Sequence, residues 1–272
     1  MEKRGQVTTF IIVGIVLLLA LAFIFFARNT IIEEISGKAK VQSYLRGVMD
    51  NIKTETGKCL EKEARSSIDI LGKQGGYFGP KSYVEYYGEK ISFLCVNKDN
   101  DKRCINDMLS KTEMEGRMKE DLMPKIKKCT NLAQFEPSTF SLISDYKLVY
   151  NPEDVDLQVT INKKNVLLNL TMPVTIERAD VSFSQNSFYK GVNVPLGDII
   201  IVVNDILNLE STTGDFSTVG YDLFNYNKYS IRRSLTPYIP MHKIYTVSET
   251  GYDYEFKFAI EGEPKEEARV RR

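Results

Sequence analysis

The sequence predicts an α+β protein: an N-terminal transmembrane helix and helical stalk, followed by an exported domain of antiparallel β-sheet and packed helices. Three observations predict this. Residues 7–27, VTTFIIVGIVLLLALAFIFFA, hold no charge and no proline. Two later stretches alternate apolar and polar residues in the manner of half-buried strands. All four cysteines lie beyond the apolar run.

At a rise of about 1.5 Å per residue, a helix over 7–27 extends roughly 30 Å, the thickness of a bilayer's hydrocarbon core. Lys3 and Arg4 precede it. Arg28, Lys38 and Lys40 follow, with Glu33 and Glu34 among them, so the positive-inside rule keeps the N-terminus cytoplasmic and sends the rest outward. A cleaved secretory signal has a shorter apolar region and a small-x-small site after it. Phe25, Phe26, Ala27 and Arg28 offer no such site, so residues 1–27 are expected to stay as a signal anchor in the cell membrane, with lipid as the partner of 7–27.

The opening residues carry a second reading. Lys3-Arg4-Gly5-Gln6 abuts the apolar run directly and resembles the class III signal of archaeal pilins and archaellins. That resemblance implies a cut between Gly5 and Gln6 that leaves the apolar helix on the mature chain. Phe10 stands where many type IV pilins carry a glutamate, and a plain basic lead-in is the rival reading.

Lys plus Arg and Asp plus Glu number 36 each, so there is no electrostatic case for nucleic acid. Cys59, Cys95, Cys104 and Cys129 make an even set on the exported side, which reads as two disulfides. Spacing suggests Cys95 with Cys104 across a polar loop, and Cys59 with Cys129 between two helices. Zinc is the rival. The chain has no Cys-x-x-Cys, and its one histidine, His242, is far from the last cysteine.

In chain order, residues 28–57 read as a stalk, with Ile31, Ile35, Val41, Leu45, Val48 and Ile52 near helix period and Gly37 and Gly47 weakening it. Residues 58–136 form a helical, disulfide-containing subdomain. Gly57 interrupts, and a second helix with Leu60, Ala64, Ile68 and Leu71 on one face ends at Gly72. The glycine-rich segment 72–80 invites a phosphate-cradle reading but lacks the Gly-Lys-Ser/Thr of a P-loop and follows a helix, which makes it a turn. Tyr83–Tyr87 and Lys90–Val96 form a hairpin around Gly88-Glu89, and Ile105–Lys128 reads as a charged amphipathic helix with Met108, Met114, Met118 and Met123 as core or sticky groove.

Residues 137–260 form a β-rich subdomain that starts near Pro137. Strands are expected over Tyr146–Tyr150, Val155–Ile161, Val166–Ile176 and Val181–Phe183, with 162–165 as a turn. Asp198 caps a helix to Asn208 with Ile199, Val202, Val203, Ile206 and Leu209 on one side, although the β-branched run leaves a buried strand open. Ser211–Asn227 reads as loop, and Ile244–Val247 with Tyr252–Ile260 as a last hairpin. Residues 261–272 are a charged tail expected to be disordered.

The opening KRGQVTTFIIVGIV, Cys59-Leu60-Glu61, Leu71-Gly72, Gln74-Gly75-Gly76-Tyr77, Lys128-Cys129 and NVLLNLTMPVTI at 165–176 together resemble an uncharacterised family of archaeal single-pass membrane proteins. The resemblance implies an anchored exported domain without an assigned activity. It also implies that Cys59 and Cys129 pair, and that Cys95 and Cys104 are additions.

No catalytic constellation is found. A triad needs a histidine, and His242 sits beside Met241 and Pro240 with no motif near it. Glu33-Glu34 and Glu153-Asp154 read as solvated charges. Asn169-Leu170-Thr171 matches a glycosylation sequon inside a strand, and Asp99-Asn100-Asp101 lacks the ligand ladder of a calcium loop. The expected function is therefore a non-catalytic, membrane-anchored component of the cell envelope or a surface assembly. It has no cofactor and acts through contacts with other membrane or surface proteins, homo-oligomers included. The alternatives are a pilin-like filament subunit processed after Gly5 and a tethered ligand-binding protein or enzyme.

Overall fold

The structure, a computed structural model, describes residues 4–97, 104–130, 132–136, 146–226 and 228–262, with the side chains of the first helix described at 12–24 and from 37 onward. That helix, α1, is continuous over Arg4–Lys73. The interruption expected at Gly57 does not occur. Gly37, Gly47 and Gly57 each cost a helix only about 1 kcal/mol, and Leu45, Met49, Ile52, Leu60, Ala64, Ile68 and Leu71 are all buried on the long face that follows.

Among the described residues no helix is long and apolar enough to cross a membrane, which overturns the transmembrane helix in the expected fold class. The apolar side chains described in that stretch run from Ile12 to Ile24. As helix they extend about 20 Å, short of a hydrocarbon core of about 30 Å. The flanking side chains at 7–11 and 25–27 lie outside the described residues. What holds of the expected class is that the chain is α+β, with two sheets and packed helices.

The described chain falls into two compact units. The first comprises Met1–Ile52, Phe135–Val149 and Val174–Ser184. In it Leu45, Met49 and Ile52 of α1 are buried, and Val174 and Ile176 are buried too. The Tyr44 and Tyr146 rings meet edge to face at 6.1 Å, Arg46 stands 6.0 Å over the Phe183 ring, and Lys147 pairs with Glu177 at 3.2 Å.

The second unit comprises Lys53–Gln134, Tyr150–Pro173 and Gln185–Arg272. After α1 come β1 (Tyr83–Tyr86), β2 (Glu89–Asn97) and β3 (Cys104–Asn106), which corrects the expected start of the next helix at Ile105. That helix, α2, is Lys111–Cys129. It begins where Ser110 and Glu113 close a capping box, in which Ser110 Oγ accepts from the Glu113 N–H and the Glu113 carboxylate accepts from the Ser110 N–H. Met114, Met118, Leu122 and Ile126 form its buried stripe, so the methionines at 114 and 118 fill core.

Strands β4 (Lys147–Tyr150), β5 (Asp156–Ile161), β6 (Asn165–Arg178) and β7 (Val181–Asn193) make one sheet, order β4-β6-β5 with β7 also on β6. β5 and β6 pair antiparallel from Asp156↔Thr171 to Ile161↔Val166, and their inward Leu157, Val159, Ile161, Val166, Leu168 and Leu170 are buried, as the alternation foretold. β7 runs ten residues past the expected Phe183.

Helix α3 (Leu196–Thr213) settles the helix-or-strand question. Its buried Leu196, Ile199, Ile200, Val203, Ile206, Leu207 and Glu210 recur at helical spacing, and burial outweighs the weak helix preference of β-branched residues. Leu209, expected inside, is 42 % exposed. The polar stretch expected to be loop holds the end of α3 and the short α4 (Thr218–Phe224). β8 (Tyr229–Leu235), β9 (Lys243–Glu249) and β10 (Glu255–Ile260) complete a second sheet, order β1-β2-β10-β9-β8 with β3 on β2. Its β2–β10 pair is parallel and its other pairs are antiparallel. The tail beyond Gly262, and the boundary proposed at Pro137, lie outside the described residues.

Candidate functional site

The glycine-rich segment stops α1. The Gly76 N–H donates to Leu71 O at 2.7 Å and the Gln74 N–H to Ile70 O at 3.0 Å, with Gly75 and Gly76 at φ +68° and +90°. A side chain at Gly76 would meet only the flexible tip of Met114, Cε at 2.9 Å, so it is the conformation at φ +90° that calls for glycine there. The Gly79 N–H donates to Gln74 Oε1 at 2.8 Å. These N–H groups are spoken for within the loop, which is a helix stop and offers them to no phosphate.

What the loop builds is the wall of a cavity of about 280 Å³ in the second unit. It is lined by Tyr77, Phe78, Gly79, Pro80, Lys81 and Ser82 of the loop, Ser92 and Phe93 of β2, Asp107 of the segment after β3, and Arg117 of α2. The walls are fixed by hydrogen bonds. Tyr77 OH donates to Asp107 O at 2.9 Å, Ser92 OH to Gln74 O at 2.5 Å, and the Phe93 N–H to Ser82 O at 3.1 Å. Burial pushes the Tyr77 phenol up, with Asp107 adding to the rise and Arg117 opposing it. The side chains of Lys81, Asp107 and Arg117 make no ion pair or hydrogen bond with another described residue. The cavity thus presents three aromatic rings and three charged side chains that make no ion pair or hydrogen bond among the described residues.

Two other polar clusters, at the ends of α3, link that helix to the strands around it. At its start Asp198 lies between Lys164 (3.0 Å) and Lys228 (3.1 Å), and Lys164 also pairs with buried Glu249. Burial alone would raise the Asp198 carboxyl, but the two lysines outweigh it and hold it below its ordinary range. Glu249 Oε2 is buried without a partner. At the other end Glu210 accepts from Tyr245 OH at 2.5 Å and from Lys243 at 2.6 Å. Burial and Glu210 together push the Tyr245 phenol far up, so it stays a donor.

Of the residues singled out in the sequence, Cys59 is bonded to Cys129 and Cys95 to Cys104. Among the described residues no group of three or more potential metal ligands occurs. His242 is structural. Its Nδ1 accepts from the Gly262 N–H at 3.0 Å, its ring meets Phe93 edge to face at 4.8 Å, and burial lowers its basicity against the pull of Glu261. Asn169 lies half-buried within β6, opposite Gln158. Gly5 and Gln6 fall in the first turn of α1, with side chains outside the described residues, as are Glu33-Glu34 and Asp99-Asn100-Asp101. Glu153 and Asp154 are exposed in a 3₁₀ turn whose Asn151 caps it. Sequence reasoning missed Arg117, Asp107 and Lys81. The Ser110-x-x-Glu113 capping signature, which fixes where α2 starts, was the available signal.

With this geometry in view, no protein-family model matches the chain, and no curated protein or solved structure matches it either.

Proposed function

We propose that the chain is an extracytoplasmic, non-catalytic component of the cell envelope, resident at the cell membrane, that works through contacts with other proteins. The supporting observation is the apolar row Ile12–Ile24 on α1, whose large side chains are from 51 % (Val13) to 77 % (Phe23) exposed. An unbroken apolar surface of this kind on one chain calls for cover from outside it. Two disulfides add support, because such bonds persist where the surroundings are oxidising.

Extraction of the native envelope fraction in mild detergent tests this. The expected outcome is a defined complex with all four cysteines oxidised. A monomer in the cytosolic extract with reduced thiols would overturn the reading. The unbroken run of α1 from Arg4 to Lys73 favours a second reading, a pilin-like subunit processed after Gly5 and packed through its first helix. N-terminal mass analysis decides between them, since a mature chain that keeps residues 1–5 rules the second out.

A further inference from the structure

The chemistry of the cavity beside the helix stop points to a ligand. We infer that the cavity is a binding site for an acidic sugar, a hexuronate unit of a polysaccharide or glycan. Some charged groups of the second unit meet counter-charges, as in Lys125–Asp121, Lys119–Asp156, Lys190–Glu61 and Lys257–Glu89, and others stand singly on its surface. Arg117, Lys81 and Asp107 line the same cavity and have no such partner among the described residues.

Within the lining two cations face one carboxylate, and Glu113, which also acts on Arg117 and Tyr77, is outside the lining with its carboxylate engaged in the α2 cap. The excess positive charge of the lining matches a monoanion better than a zwitterion or a neutral molecule. A guanidinium offers a carboxylate two parallel donors. Asp107 is an acceptor only when ionised and needs hydroxyl or N–H donors on the same ligand. Tyr77, Phe78 and Phe93 supply flat apolar faces on which the C–H face of a pyranose ring can rest. A ligand that carries one carboxylate, several hydroxyls and an apolar ring face meets all three demands. The cavity volume of about 280 Å³ sits at the small end of ligand sites and fits one sugar unit. The walls are held by Tyr77, Ser92 and the backbone of Phe93, so the site is formed before the ligand arrives. This assignment does not depend on the contact reading and survives its failure.

The test is titration of the full chain with D-glucuronate and D-galacturonate, followed by calorimetry and saturation-transfer NMR. D-glucose, sodium sulfate and glycine serve as comparison ligands. We expect saturable uronate binding that weakens about tenfold for glucose and for Arg117→Ala, the loss of one charge-assisted contact. Arg117 and Lys81 are exposed, so both R117A and K81A should keep the unfolding midpoint of the parent while losing affinity. Three results would overturn the assignment: no saturable uronate binding, sulfate binding as tight as uronate, or glycine bound in preference. Uronate affinity unchanged in both variants would overturn it equally.

Discussion

Two stretches of the same helix behave in opposite ways. Between Ile12 and Ile24 α1 is apolar all round and its large side chains are exposed; between Leu45 and Leu71 apolar and polar residues alternate at helical spacing, and Leu45, Ile52, Leu60 and Leu71 are sealed from solvent. The poorer stretch in hydrophobic content makes the better core. A helix packs its own domain through one stripe, and its polar side keeps the packed unit in water. A surface apolar on every side has no such division, and between Ile12 and Ile24 it stands exposed.

The largest effect should come from the disulfide that ties the packed stretch to α2. Cys59 and Cys129 close a loop of 70 residues, so replacing both with serine should lower the unfolding free energy by about 4 kcal/mol, read from denaturant midpoints. Next, Leu60→Ala or Leu71→Ala should cost about 2–5 kcal/mol through lost burial and an unfilled cavity. Leu18→Ala should leave the midpoint of the isolated chain where it was while weakening recovery of any complex. Equal loss from Leu18→Ala and Leu60→Ala would erase the distinction between the two stretches.

A smaller effect is expected where α1 ends. A methyl at Gly72 would meet Glu255 O at 2.6 Å and Tyr254 OH at 2.7 Å, so Gly72→Ala should destabilise by about 1–3 kcal/mol through overpacking, measured by thermal unfolding. The smallest concerns His242, outside the helix. Its folded-state pKa lies below the ordinary 6.5 because the ring is buried. The stability it contributes is therefore present above pH 6.5 and is lost as pH falls through the lower folded value. Protonation also removes the acceptor for the Gly262 N–H. The protection of the Gly262 amide, its exchange compared with the intrinsic rate at the same pH, should fall on acidification, and His242→Phe should remove that pH dependence.

The sheet that carries β5 and β6 was legible because alternate residues face one core, and Val155 through Ile161 display that period without interruption. α3 was legible in position but not in type, since β-branched residues suit both structures and only burial at helical spacing decides. The continuity of α1 was not legible at Gly57: a local penalty near 1 kcal/mol is visible in sequence, whereas the packing that outweighs it is not. β8 escaped because only Tyr229 and Ile231 face inward while its last four residues are exposed, too short a pattern to read. α4 escaped because its Val219, Leu223 and Phe224 are exposed, so no buried stripe marks it. The cavity escaped for another reason. Lys81, Asp107 and Arg117 sit on three separate segments, and only the turn after Gly72 and the start of α2 at Ser110 bring them to one place.

The proposed role rests on what touches the apolar arm. A photo-crosslinking residue placed at Leu18 in the native cell, with one at exposed Tyr87 as comparison, tests this directly. We expect Leu18 to yield crosslinks to one or a few defined proteins, copies of the chain included, and Tyr87 to yield none of these. Crosslinks from Leu18 solely within its own chain, or to no protein at all, would contradict it.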